Sequence, residues 1–260
     1  MKLNLLYLCL GSFLLTFCTK KVESPVEKFP PLNEFNLLNP SSQEAVKLNS
    51  LVFQTLLGVE NNELQPLLVE ALPEVIKTPE GGLLLTFNVR QEARWDNGKD
   101  VVAKDVEYSF KWALLFDKLF GTNKYQWVKD FKFHDNDFRK FTFIFNKDTS
   151  NVDMLLGNSF VIFPKDSNAN FIANKLSVEQ IMDSAFVIST KDSSALVDKF
   201  RTFNLAAYTS ADTLRASGAF IGIRSNDGVV QLVRKKNWWA DALNSSSSLF
   251  KTTTSVIKIQ

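Results

Sequence analysis

One histidine, His134, and two cysteines, Cys9 and Cys18, are the whole supply of imidazole and thiol groups in 260 residues. Zinc and iron sites built from His and Cys need several such ligands converging, so a site of that kind is nearly excluded and no cofactor is implied. A Ser-His-Asp or Cys-His arrangement would have to recruit His134. That residue follows Phe131-Lys132-Phe133 and precedes Asp135-Asn136-Asp137, so it reads as an exposed histidine in a polar turn. Glycine is also scarce, at 10 copies. The double glycine Gly81-Gly82 precedes a strand-like run and reads as a turn, whereas a phosphate-cradling loop links a strand to a helix. An excess of either charge is missing as well. The 30 basic and 28 acidic side chains are spread along the chain and leave a net charge of +2. Without a basic face or a Lys/Arg block, charge gives no reason to expect nucleic acid or anionic lipid as a partner. With no visible nucleophile–base pair or metal cluster, the sequence does not read as an enzyme.

Phenylalanine is abundant by contrast, at 23 copies, and 45% of the residues are hydrophobic. That is enough for a substantial core in one or two domains. The chain opens with Lys2 and the apolar run 3–17, followed by Cys18, Thr19, Lys20 and Lys21. Fifteen residues fall short of the roughly 20 that a membrane span needs, but suit the apolar core of an export signal. No later segment is long and apolar enough to span, so the remainder is expected outside the cytoplasm. Leu15-Thr16-Phe17-Cys18 resembles a bacterial lipobox, whose cysteine is acylated and becomes the first mature residue. Leu15 fits that pattern, while Phe17 stands where a small residue is usual. The alternative is an ordinary signal-core cysteine with cleavage elsewhere. If the signal is removed, Cys18 is the only mature cysteine and has no intramolecular disulfide partner, which favours a lipid anchor. Residues 19–31, charged and proline-bearing, read as a tether between membrane and domain.

From residue 32 onward helical and strand signals alternate. Residues 43–57 place Ala45, Val46, Asn49, Val52, Phe53, Leu56 and Leu57 near one mostly apolar helical face, with Ser41 or Ser42 as cap. Residues 83–89 read as a strand. Asp96-Asn97-Gly98 is a turn signal, because Asn and Gly tolerate positive φ. A helix is predicted over 102–120, with Val102, Val106, Phe110 and Leu114 four apart and Gly121 ending it. Phe131, Phe133, Phe141, Phe143 and Phe145 alternate around the polar turn 134–137, which predicts a hairpin whose phenylalanine face is buried against a helix. Residues 193–205 read as a helix carrying Leu196, Phe200 and Phe203. A second hairpin is predicted from 220–223 and 229–233 across Asn226-Asp227-Gly228. Residues 245–248 form a polar connection, and 255–260 read as a closing strand.

Several blocks carry a family resemblance. Leu64-Gln65-Pro66 through Ala71-Leu72-Pro73-Glu74, then Leu85-Thr86-Phe87 and Arg90, Trp95-Asp96-Asn97-Gly98 and Ala103-Lys104-Asp105-Val106 follow one another with the order and spacing of a signature region. Phe160 to Lys165, and Ser217-Gly218-Ala219-Phe220 through Trp238-Trp239, agree with later blocks of the same pattern. The chain thus resembles the N-terminal half of the extracellular solute-binding proteins of family 5, which include oligopeptide, dipeptide and nickel receptors of ABC importers. Three positions depart from the pattern. Val102 replaces a Thr that would cap the helix, at a cost of about 1 kcal/mol. Lys235 replaces an Asn, and Ala219-Phe220 replace a Pro-Tyr or Ala-Tyr pair.

The resemblance implies an α/β fold of the type II periplasmic-binding-protein class. Residues 32–62 and 165–260 would form a discontinuous first lobe, and 63–164 a smaller inserted α+β domain. The second lobe is expected to be absent, since relatives run to about twice this length. The implied function is capture of a peptide or other small solute and delivery to an ABC permease, with the membrane reached through Cys18. The resemblance places Ser217, Gly218, Ala219 and Phe220 on the lobe facing the cleft, as candidate substrate-binding residues. It treats the Trp95 turn and the start of the following helix as elements that maintain the fold. With one wall of a cleft, this chain would be a truncated receptor that binds peptide weakly. The rival expectation is an envelope-anchored interaction lipoprotein without a transport role.

Overall fold

The computed structural model describes residues 50–148, 160–165, 171–209, 216–224, 230–243 and 256–259. Outside them lie the export signal, Cys18, the tether, residues 43–49 with their proposed cap, the Asn226-Asp227-Gly228 turn and the 245–248 connection. The described chain is a mixed α/β structure of three antiparallel sheets with helices packed on them.

Strands β1 (Leu57–Glu60) and β2 (Glu63–Pro66) form a hairpin. Strands β3 (Glu74–Lys77), β4 (Leu83–Asn88), β5 (Val128–His134) and β6 (Asp137–Phe145) form a sheet in the order β3-β4-β6-β5. Period-two alternation explains its sidedness, because successive side chains point to opposite faces. In β4, Leu83, Leu85 and Phe87 are buried while Leu84, Thr86 and Asn88 are only partly so. Phe87 pairs with Phe141 across the strands, and Leu85 with Phe143.

Helix α1 (Ala103–Phe120) covers this apolar face. Gly121 closes it in the left-handed region, at φ 66°, as its sequence position suggests. Val102 is the N-cap residue and offers no side-chain cap. Part of that loss is offset by Asp105, whose carboxylate accepts the Val102 N–H at 3.0 Å. Phe110 on the helix meets Phe143 on β6 edge to face, with ring centroids 4.9 Å apart. Phe131, Phe141 and Phe87 extend the same aromatic cluster.

The expected phenylalanine stripe holds at four of its five positions. Phe131, Phe141, Phe143 and Phe145 are buried, but Phe133 is 37% exposed. It lies near the turn end of β5, which is an edge strand of the sheet, so fewer neighbours cover it. His134 also differs from expectation. It is the last residue of β5 and only partly exposed, and its Nε2 lies 2.9 Å from the hydroxyl of the buried Thr142.

The helix expected over 43–57 ends earlier in the part that is described. Residues 50–52 are helical, whereas Leu57 already belongs to β1. Backbone pairing overrides the helical periodicity here. Gln54 O accepts from Ile162 N at 2.9 Å, and Leu56 O accepts from Leu67 N at 3.0 Å. The apolar residues that suggested one helical face, Val52 at the helix end and Phe53, Leu56 and Leu57 in the extended segment after it, are all fully buried. Residues 160–163, Phe-Val-Ile-Phe, run buried past α1, where Ser109 Oγ accepts the Phe163 N–H at 3.0 Å.

Two short helices, α2 (Ile172–Lys175) and α3 (Val178–Met182), pack against α1. Helix α4 (Thr190–Thr209) follows and buries Leu196. It lies on β7 (Phe220–Arg224) and β8 (Val230–Arg234), which form the second predicted hairpin. The closing strand β9 (Val256–Ile259) pairs with β8, completing a three-stranded sheet. No helix among the described residues is long and apolar enough to cross a membrane.

Candidate functional site

The turn after Trp95 is built by backbone bonding. Gly98 N donates to Trp95 O at 2.8 Å and Trp95 N to Lys99 O at 2.9 Å. Gly98 has φ +77°, a conformation that side chains disfavour, which accounts for glycine there. Trp95 is 4% exposed, and its indole N–H donates to Asp105 Oδ2 at 3.2 Å. Asp105 also accepts from Val102 N and, at 2.8 Å, from Lys165 N. One carboxylate thus fastens the turn, the start of α1 and the 160–165 segment together. Burial pushes this carboxyl above the usual range, and the N–H donors of Lys165, Val102 and Trp95 pull it back down.

The four residues expected to face a cleft, Ser217 to Phe220, are buried beside this turn. Ser217 is fully enclosed, and its hydroxyl accepts the Gln54 N–H at 3.1 Å. Its carbonyl accepts two indole N–H groups, from Trp238 at 2.8 Å and from Trp239 at 2.7 Å. Gly218 N donates to Val52 O at 2.8 Å. A Cβ on Gly218 would stand 2.4 Å from Leu51 O and 2.6 Å from the Val52 carbonyl carbon, so only glycine allows this approach. Ala219 and Phe220 are 3% and 0% exposed. The polar groups of Ser217 are therefore engaged inside the protein, and the segment backs a wall instead of presenting side chains to solvent.

Asp96 and Lys235 join the two halves of this junction. Their side chains form an ion pair, and Asp96 also accepts the Ala216 N–H at 3.1 Å. Lys235 Nζ donates in addition to Ala216 O at 3.3 Å. Burial lowers the Lys235 pKa, and the Asp96 carboxylate opposes that shift. In the sequence alone, Asp96 is a turn residue and Lys235 a departure from the family pattern. The sequence holds only an indirect sign of the pair, a lysine standing where a neutral Asn is usual; its burial and its partner are visible only in the fold.

Beside the junction lies a cleft of about 550 Å³. Trp95, Trp238 and Trp239 wall it, with Gly98 and Ile221 between them. Arg94, Lys235 and Lys236 bring positive charge to its lining, against the single anion Asp96. Such a surface can bind and orient a ligand. It offers no nucleophile paired with a base, and no group of three His, Cys, Asp or Glu that could hold a metal occurs among the described residues.

Comparison with known proteins agrees with this picture. The family model of the bacterial extracellular solute-binding proteins, family 5 middle, matches residues 63–255. The oligopeptide-binding protein OppA of Bacillus subtilis is 42% identical over 45 residues, which are 17% of this chain and 8% of that protein. Among solved structures, the oligopeptide binding protein from Thermus thermophilus, complexed with a pentapeptide, aligns with a TM-score of 0.56 at 16% identity. That alignment covers 88% of this chain and 38% of the other. NikZ from Campylobacter jejuni, in complex with Ni(L-His), gives a TM-score of 0.56 at 15% identity, over 89% of this chain and 37% of its own. This chain therefore spans under two fifths of the length of those two structures, and the likeness establishes a periplasmic-binding-protein fold.

Proposed function

Because the chain belongs to the bacterial extracellular solute-binding proteins of family 5, we propose that it is part of the substrate-binding component of an ABC importer. Its task is to capture a peptide-like solute outside the cytoplasm and present it to a membrane permease, by binding without catalysis. The observation that carries this reading is the extent of the family match. It runs from residue 63 to 255, through both the turn at Asp96 and the wall built on Ser217 to Phe220.

Three finer statements belong to the same proposal. Residues 63–164 act as an inserted domain within a lobe made of 32–62 and 165–260. The four-stranded sheet with α1 falls in the first of these, and the three-stranded sheet with α4 in the second. Ser217, Gly218, Ala219 and Phe220 serve solute binding as the buried backing of the cleft-facing wall. Cys18, at the end of an export signal, carries the lipid that keeps the protein at the membrane.

Uptake of isotope-labelled di- and oligopeptides by cells that make the protein, with and without its gene, tests the reading. Loss of uptake of some peptide class, restored by the gene supplied in trans, is expected. Unchanged uptake of every peptide class would overturn the transport role and favour an envelope interaction protein.

A further inference from the structure

Asn97-Gly98 is the single Asn-Gly pair in the sequence, and both residues are exposed at the tip of the Trp95 turn. Such a pair can react with itself. Gly98 N gives up its proton to solvent and bonds to the side-chain carbonyl carbon of Asn97. The side-chain nitrogen takes up a proton and leaves as ammonia. Water then opens the resulting imide ring at either of its carbonyls. The product is an aspartyl residue, or an isoaspartyl residue whose main chain is one atom longer. Glycine leaves the nucleophile accessible, and a Cβ at position 98 would meet nothing within 4 Å, so no packed neighbour blocks the approach.

The folded turn engages both reacting groups. Gly98 N–H donates to Trp95 O at 2.8 Å, and Asn97 Oδ1 accepts the Lys99 N–H at 3.2 Å. Trp95 N–H closes the turn a second time, on Lys99 O at 2.9 Å. Attack needs Gly98 N freed and the Asn97–Gly98 peptide rotated towards the side chain, so the reaction runs through molecules in which the turn has opened. The two residues before Asn97 resist that opening. Trp95 is fastened to Asp105, and Asp96 to Lys235 and to the Ala216 N–H.

We propose that Asn97 is a site of spontaneous deamidation gated by the turn. Conversion there records how often the junction between the Trp95 turn and the Ser217–Trp239 segment loosens. The geometry lies wholly within this chain and does not rest on the transport reading.

The purified protein and a sample unfolded in urea would be held in the same mildly alkaline buffer. The peptide carrying Asn97 would be followed by mass spectrometry for the deamidated and isoaspartyl forms. Native conversion should be measurable and about five- to thirtyfold slower than in the unfolded sample, the factor that one or two ordinary hydrogen bonds supply. Lys235→Met, which releases Asp96, should speed native conversion about two- to fivefold and leave the unfolded rate unchanged. Asn237, exposed and followed by Trp238, is the internal control and should convert more slowly than Asn97. Equal rates in native and unfolded protein, or no native conversion at Asn97, would overturn the proposal. A native rate that Lys235→Met leaves unchanged, or conversion of Asn237 as fast as Asn97, would overturn it as well.

Discussion

Removing the charge of Asp96 while keeping its shape isolates the contact that ties the Trp95 turn to the Ser217–Trp239 junction. In Asp96→Asn the amide oxygen can still accept the Ala216 N–H, so the change falls on Lys235. That lysine's side chain is 13% exposed, and its remaining acceptor is Ala216 O at 3.3 Å. Stripping one partner from a fully buried pair costs about 3–5 kcal/mol. The Asp96 side chain is 26% exposed, so water screens part of the interaction and about 2 kcal/mol is expected. Lys235→Met should cost less, because Asp96 keeps its hydrogen bond and its access to water. The double variant should recover about 1–2 kcal/mol of coupling in a denaturant-melt cycle.

The pH dependence supplies a second check on the same variant. Lys235 has a folded pKa below its ordinary value, mainly through burial and despite Asp96. Folding therefore disfavours its proton, and the penalty is relieved as pH rises through the folded pKa towards the unfolded value of about 10.4. Without Asp96 the pKa falls further, so relief begins at lower pH. The deficit of Asp96→Asn relative to wild type should shrink between pH 7 and about pH 10. A coupling energy below about 0.5 kcal/mol, together with a deficit independent of pH, would refute the reasoning.

Phe143→Ala should cost about 3–5 kcal/mol in a chemical melt, because the ring is fully buried among Phe87, Phe110, Phe131 and Phe141. A loss under about 1 kcal/mol would mean that the sheet face is wrongly assigned. Gly218→Ala should destabilise by about 1–3 kcal/mol, since its methyl group would strike the Leu51 and Val52 backbone. An unchanged melting midpoint would contradict that close approach. Metabolic labelling with an alkyne fatty acid should mark the wild type and not Cys18→Ala, and equal labelling of both would remove the lipid anchor from the proposal.

Elements whose signal is local and periodic were legible in the sequence. Helix α1 runs from Ala103 to Phe120 between a Val102 cap and Gly121, close to its predicted span. The β5–β6 and β7–β8 hairpins likewise follow from alternation around polar turns. The failures share a physical cause, because each depends on partners remote in sequence. Residues 53–57 have helical spacing but are drawn into extended pairing by Ile162 and Leu67. Phe133 has the alternation of a core residue, yet its place on an edge strand leaves it uncovered. The candidate site shows the same limit. The Ser217 to Phe220 segment was found by its motif, but no local pattern reveals that the Trp238 and Trp239 indoles converge on one carbonyl, or that Asp96 reaches Lys235. The one local hint was the lysine at 235 where a neutral side chain is usual.

Solute capture is tested most directly by asking what the protein carries when taken from the cells that make it. The protein would be purified under native conditions and denatured, and the small molecules released would be identified by mass spectrometry against a mock-purified control. The account predicts short peptides or peptide-like solutes enriched over the control in proportion to the protein. Release of nothing beyond the control, from protein that also fails to retain a mixed peptide pool added before purification, would contradict it.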